Sequence, residues 1–107
     1  MVELIKQQRH FLYLIKDTIA AQRKALLSTI TRQQLKALSQ IAYNILRFKI
    51  RLSPLEKAQL KRQRRVIHLL GNRAIGFKQK REIIKHKPRV IYTLVKIAFT
   101  YLEPILA

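Results

Sequence analysis

Apolar residues recur every three to four positions along most of the chain, and this spacing predicts helices. In the N-terminal run, residues 3–16, the apolar positions and their continuation fall near one face: Leu4, Ile5, Leu12, Ile15 and Ile19. Asp17 and Thr18 break this run and begin a second helix near 19–28. No stretch has the alternation of a strand, and only the short run Arg89–Tyr92 is ambiguous.

Two capping boxes predict where further helices begin. Thr31 with Gln34 starts a helix near residue 32, whose apolar positions keep the helical spacing at Leu35, Leu38, Ala42, Ile45 and Leu46. Ser53 with Glu56 forms the second box, with Pro54 at the first helical position, where no N–H is needed. This helix is expected to run over 54–70 and to stop at Gly71, a natural residue after a helix end.

The C-terminal third predicts a short helix from Phe77 to about His86 and a last helix that starts near Pro88 and ends before Pro104. Residues 90–102 are strongly apolar, but they are too few for a membrane span of about 20 residues, and Lys96 lies near their middle. A central buried helix is the favoured interpretation. Three residues lie on the side of this helix away from its main apolar stripe, and they either complete the core or make a dimer contact: Tyr92, Lys96 and Phe99.

These elements predict an all-α fold, a compact bundle of five or six short helices with a central apolar C-terminal helix. The connections are short, and 107 residues leave room for one domain. Within that single domain, residues 47–89 are expected to form a basic surface and residues 90–107 the core helix.

The charge of the sequence indicates the kind of partner that the protein binds. The chain carries 23 Lys and Arg against 5 Asp and Glu, a formal charge of +18. Residues 1–46 hold a net +5, residues 47–89 a net +13 and residues 90–107 none. So much uncompensated charge points to a polyanionic partner.

Composition also argues against several kinds of chemistry. There is no Cys, no two acids lie within ten residues of each other, and the three histidines are far apart. We therefore expect no metal site, no cofactor, no catalytic triad and no small-molecule substrate. Polar residues 6–10 interrupt the N-terminal apolar run, so we expect no signal peptide.

The predicted helix over 54–70 carries the clearest candidate surface. At 100° per residue, its apolar positions form one face, and a basic stripe lies opposite: Lys57, Lys61, Arg64, Arg65 and His68. Like charges one turn apart destabilise a helix unless an anion screens them, so the stripe favours anion binding. The alternative is an ordinary solvated face.

Basic residues on both sides extend this surface. Arg47, Lys49 and Arg51 alternate with apolar residues, and Lys78, Arg81 and Lys85 share one face of the next helix, with Lys80 adjacent. The full candidate set for nucleic-acid contacts is Arg47, Lys49, Arg51, Lys57, Lys61, Arg64, Arg65, Arg73, Lys78, Lys80, Arg81, Lys85, Lys87 and Arg89.

These residue types favour contacts with phosphates over contacts with bases. A helix-turn-helix over 54–86 is an alternative, but its loop of about six residues is long for that motif. Its second helix also offers almost only Lys and Arg, which do not make the mixed base contacts of sequence-specific readers. The loop 71–76 lacks a Gly-rich phosphate signature. Phe48 and Phe77 are expected to anchor the core.

Short motifs along three quarters of the chain carry a resemblance. They are Leu26-Leu27, Ile41–Leu46, Leu52–Lys57, Leu60–Arg62 and Lys80-Arg81. In this order they resemble short, basic, all-helical open reading frames of adenovirus-like and Polinton/Maverick-type DNA viruses and mobile elements. That group has no settled function. The resemblance implies a viral or transposon context, with a core or packaging protein in the virion interior or host nucleus, or alternatively in the cytoplasm.

The sequence therefore predicts a non-enzymatic protein that binds the phosphate backbone of DNA or RNA without sequence specificity and neutralises or packages a genome. Two alternatives share the same charge. One is a structural assembly protein of a nucleoprotein particle or capsid interior, and the other is a membrane-active basic helical protein. A second copy of the chain, or other virion proteins, are further candidate partners.

Overall fold

The computed structural model describes residues 2–47 and 52–106, with side chains for 3–47 and 52–104. Within these ranges the chain is helical and contains no strand, which confirms the all-α class. The helices are α1 (Val2–Gln7), α2 (Arg9–Asp17), α3 (Ala20–Ser28), α4 (Arg32–Leu46), α5 (Pro54–Lys61), α6 (Arg64–Gly71), α7 (Phe77–His86) and α8 (Pro88–Leu106). They pack into a body of 31 × 30 × 27 Å.

The described ranges hold eight helices, where five or six were predicted, because two predicted helices are each divided by a turn. Gln8 separates α1 from α2, and Arg62 and Gln63 separate α5 from α6. At Gln8 and Gln63 φ is near −100 to −115° and ψ near 15°, outside the helical region. Each turn spans only one or two residues and keeps backbone hydrogen bonds to the preceding helix, so the sequence carries no separate signal for it.

Both predicted capping boxes are present. The Gln34 amide donates to Thr31 Oγ1 at 3.1 Å, and the Thr31 amide donates to Gln34 Oε1 at 3.0 Å. At the second box, the Glu56 amide donates to Ser53 Oγ at 3.2 Å, and the Ser53 amide donates to Glu56 Oε1 at 2.8 Å. Each box satisfies two amides that would otherwise lack partners, which fixes the starts of α4 and α5.

Helix α8 is the centre of the molecule, as predicted. It packs against α1, α2, α3, α4, α5 and α7. Its buried residues are Val90, Ile91, Leu94, Val95, Ile97, Ala98, Phe99 and Leu102. Phe99 meets Tyr13 edge to face at 4.9 Å between ring centroids, so it completes the core. Over the described part of the chain, no helix is both long enough and apolar enough to cross a membrane.

The end of α8 corrects one prediction. The helix continues through Pro104 to Leu106, although it was expected to end before this proline. A proline lacks the amide that would bond the carbonyl four residues earlier, here that of Thr100. In the last turn this removes a single bond of the helix, which the packing of α8 tolerates.

Gly71 differs from its expected role as a residue beyond a helix end. It is the last residue of α6 and is buried against α4. A Cβ at this position would lie 2.9 Å from Leu46 Cδ1 and 3.1 Å from the Tyr43 backbone nitrogen. The glycine is therefore required by the close approach of α6 to α4, a contact that shapes the basic surface described next.

Candidate nucleic-acid interface

Two adjoining clefts between α4, α5 and α6 form a shallow groove that we call the cationic groove. The first is bounded by Tyr43 and Gly71 and the second by Leu52 and Leu60; they share Leu46, Arg64 and His68. The basic residues that line the groove are Arg47, Lys57, Lys61, Arg64, Arg65 and His68. All six are exposed.

The groove preserves most of the basic stripe predicted for a continuous helix. Lys57 and Lys61 come from α5, and Arg64 and His68 from α6, yet all four line one cleft across the turn at Arg62 and Gln63. Arg64 Nε donates to His68 Nε2 at 3.4 Å. The apolar face predicted opposite the stripe is only partly buried. Leu60, Ile67 and Leu70 are buried, but Leu55 is 70% exposed. The turn redirects α5, so a single helical projection through 54–70 misplaces its first residues.

No acidic residue lines the cationic groove, although all five acids of the chain lie in its described part. The ion pairs within residues 3–47 and 52–104 are Lys16–Asp17, Lys85–Glu82 and His86–Glu82, and none uses a groove residue. Glu56 caps α5 and lines a different cleft with Arg89 and Lys96. The groove is thus a region of positive potential that is not neutralised from within the described chain.

Tyr43 forms part of the floor of the groove and holds two arginines. The guanidinium carbon of Arg47 lies 5.3 Å from the ring centroid, and that of Arg73 lies 4.4 Å from it. Arg73 is in the loop between α6 and α7, where Asn72 Oδ1 accepts from the Ala74 amide at 2.9 Å and orders the turn. Cation–π contacts of this kind restrain the arginines while leaving their N–H groups free to meet phosphates.

A third, deeper cleft adjoins the groove through Tyr43 and Gly71; we call it the Lys80 cleft. It lies between α4, the loop 72–76 and the start of α7 and encloses about 350 Å³. Lys80 was predicted as an exposed contact, but it is only 7% exposed. It points inward because α7 packs this side against α4, where Lys80 Nζ donates to Ser39 Oγ at 3.2 Å. Burial lowers the pKa of Lys80 below its usual value.

The remaining basic residues of α7 and α8 do not join the groove. Lys78, Lys87 and Arg89 are exposed and Lys85 half-buried, and none lines the groove or the Lys80 cleft. Glu82 interrupts the charge of α7, with Lys85 Nζ 4.0 Å and His86 Nε2 3.7 Å from its carboxylate. Arg81 is half-buried, and its buried Nε has no hydrogen-bond partner. Within the described part of 47–89, the basic residues therefore divide between the groove and other surfaces, among them an outer face of α7 that carries Lys78, Glu82 and Lys85.

Two predicted residues, Lys49 and Arg51, lie outside the described residues, as does Phe48. Two residues of the Lys80 cleft, Arg32 and Lys36, were not predicted. Their spacing carries a signal, because a face of α4 at three- and four-residue steps reads Arg32, Lys36, Ser39, Gln40, Tyr43 and Arg47. The modest charge of residues 1–46 concealed this face.

Within the described residues, no group of three or more His, Asp or Glu is placed to hold a metal ion. No protein-family model, no curated protein and no solved structure matches the chain.

Proposed function

We propose that the protein binds the phosphate backbone of nucleic acid, without sequence specificity, through the cationic groove. The observation that carries this proposal is a continuous groove lined by Arg47, Lys57, Lys61, Arg64 and Arg65 with no acidic residue among its lining. Like charges at this proximity repel one another, and a phosphate chain relieves the repulsion and releases counterions. A neutralising role in packaging a genome, inside a virion or a nucleus, is the broader form of this proposal.

The chemistry of the groove favours phosphates over base edges. Its polar side chains are mostly Lys and Arg, which contact phosphates as point charges and as bidentate donors. Asn and Gln, which read adenine, are nearly absent from its lining, where Asn72 is the single example among the described residues. Contacts of this kind position a protein on a duplex and carry no sequence information.

Affinity for a random 30-base-pair duplex, measured against salt concentration, tests the proposal. The groove variant replaces Lys57, Lys61, Arg64 and Arg65 with Gln. We expect its slope of log K against log salt to be smaller by about 3 to 4 than that of the wild type, since each phosphate contact contributes about 0.9. Single-stranded RNA in parallel shows which strand form the groove prefers.

A matched control removes the same number of charges outside the groove, by replacing Lys78, Lys85, Lys87 and Arg89 with Gln. We expect its slope of log K against log salt to be smaller than that of the wild type by about 1 or less. Equal losses in the two variants would mean that net charge, and not the groove, drives binding. Groove-dependent binding to anionic lipid vesicles as tight as to the duplex would also overturn the proposal, in favour of a membrane surface.

A further inference from the structure

The Lys80 cleft contains a buried cation that the described chain does not neutralise. Lys80 is 93% buried by its 7% exposure, and its hydrogen-bond partner is the neutral hydroxyl of Ser39. No carboxylate lies within 4 Å of its ammonium in the described residues. A cation that is buried without a counterion carries a desolvation penalty, and an anion that enters the cleft offsets it.

The other charged residues that line the cleft are basic, as Lys80 is. Arg32, Lys36 and Arg73 line it and are exposed, so they stand at its opening. No acid is among its lining residues. Arg32 is restrained there by Phe77, whose ring centroid lies 4.5 Å from the guanidinium carbon. The opening thus attracts anions, and the buried ammonium offers them a final charged donor.

The N-terminus of helix α7 lies beside the cleft. The helix begins at the edge of this cleft, because Ile75 and Phe77 both line it. Gly76 is the cap residue and supplies no side-chain acceptor to the first amides of the helix. Uncapped amides at the positive end of a helix stabilise a nearby anion.

We propose that the Lys80 cleft is a binding site for a single phosphate group, held by Lys80 and Ser39 inside and by Arg32, Lys36 and Arg73 at the opening. The phosphate belongs either to a nucleic-acid chain that also lies in the cationic groove, or to a small free phosphate compound. A volume of about 350 Å³ admits a phosphate group together with part of the molecule that carries it. The nucleic-acid source rests on the proposed function, whereas binding of a free phosphate compound does not.

The test measures the melting temperature against inorganic phosphate, with chloride replacing it at constant ionic strength. We expect a saturable rise for the wild type and for Lys24→Met, an exposed lysine of α3 that does not line the cleft. In Lys80→Met the apparent affinity should fall about tenfold or more, because a charge-assisted bond is lost. Ser39→Ala, which keeps the ammonium, should weaken binding less.

A second readout follows Lys80 itself. Phosphate at its ammonium stabilises the charged form, so it should raise the pKa of Lys80, seen in the pH titration of its 13Cε signal. A wild type without saturable phosphate binding, or a Lys80→Met protein that binds phosphate as tightly as the wild type, would overturn the proposal. The groove variant should retain the phosphate response while losing duplex binding, so failure of one proposal is separable from failure of the other.

The two phosphate sources are separated with a nucleoside 5′-monophosphate and with a duplex that lacks terminal phosphates. If Lys80→Met lowers the salt slope for the duplex by about 1, the cleft takes a backbone phosphate. If the slope is unchanged and the mononucleotide binds more tightly than its nucleoside in a Lys80-dependent way, it takes a free phosphate compound. Either result supports the site.

Discussion

The cationic groove and the outer face of α7 are both rich in basic residues at helical spacing, but they differ in what accompanies those residues. In the groove, side chains from α4, α5 and α6 converge with no acid between them. On α7, Glu82 lies among the cations and contacts Lys85 and His86. Because of this difference, we propose the groove, and not the outer face of α7, as the anion-binding surface.

The groove exists because α6 approaches α4 closely, and the largest expected effect comes from breaking that approach. Gly71→Val places a branched side chain where even a Cβ lies 2.9 Å from Leu46 and 3.1 Å from Tyr43. We expect it to lower the free energy of unfolding by about 3 kcal/mol through overpacking. Chemical denaturation measures this change.

Gly76→Val is its control. At Gly76 a Cβ meets nothing within 4 Å, and φ is −78°, which suits any residue. The expected cost is about 1 kcal/mol or less, from a poorer cap on α7. If both variants lose similar stability, close packing at Gly71 is not what distinguishes the two sites.

The second-largest effect is expected from an acidic residue introduced into the groove, comparable to Glu82 on α7. His68→Glu places a carboxylate one turn from Arg64, where it pairs with that guanidinium and repels phosphate. Duplex affinity should fall about tenfold and the salt slope by about 1 to 2. Gln79→Glu adds the same charge on exposed α7 and should change affinity less than about threefold. Fluorescence anisotropy at two salt concentrations compares the pair, and equal losses would contradict the groove assignment.

A smaller effect distinguishes the buried Lys80 from the exposed lysines. Its pKa is lowered by burial, so between this lowered pKa and the value of 10.5 in the unfolded chain, the unfolded state binds more protons. The stability of the wild type relative to Lys80→Met should therefore rise with pH across that window, by no more than about 1.4 kcal/mol per pH unit. Arg32, Lys36, Tyr43 and Arg73 face the same cleft and are common to both proteins. A flat difference in denaturation midpoints would contradict it.

The sequence predicted those parts of the fold that local chemistry determines. The two capping boxes start α4 and α5 through bonds between residues three apart, and the apolar run 90–102 forms the buried centre. It did not predict the turns at Gln8 and Gln63, because each is short, keeps backbone hydrogen bonds to the preceding helix and has no breaking residue such as Pro or Gly. It also misjudged Pro104, since a proline in a last turn costs little when the helix is otherwise packed.

The part of the candidate site that lies along one stretch of sequence was predicted. The part that depends on tertiary contacts was missed. Lys57, Lys61, Arg64 and Arg65 form a stripe that the helical spacing alone revealed. Lys80 has the same spacing relations as its neighbours, but the packing of α7 on α4 turns it inward to Ser39, 41 residues away. Arg32 and Lys36 join the site for the same reason, since α4 brings them opposite the loop of Arg73.

The smallest effect is expected from the removal of Glu82, which leaves the outer face of α7 without an acidic residue, as in the groove. Its contacts of 4.0 Å to Lys85 and 3.7 Å to His86 are exposed, with 63% of the Glu82 side chain open to solvent. Exposed pairs contribute about 0 to 1 kcal/mol, so Glu82→Gln should change the free energy of unfolding by less than about 0.5 kcal/mol. It frees Lys85 and His86, which remain on one convex helix, without converging partners from other elements. Duplex affinity should therefore rise no more than about threefold, which parallel binding curves for Glu82→Gln and wild type resolve. A tenfold gain would mean that one acid, and not the convergence of three helices, separates the two surfaces, and it would contradict the role proposed for the groove.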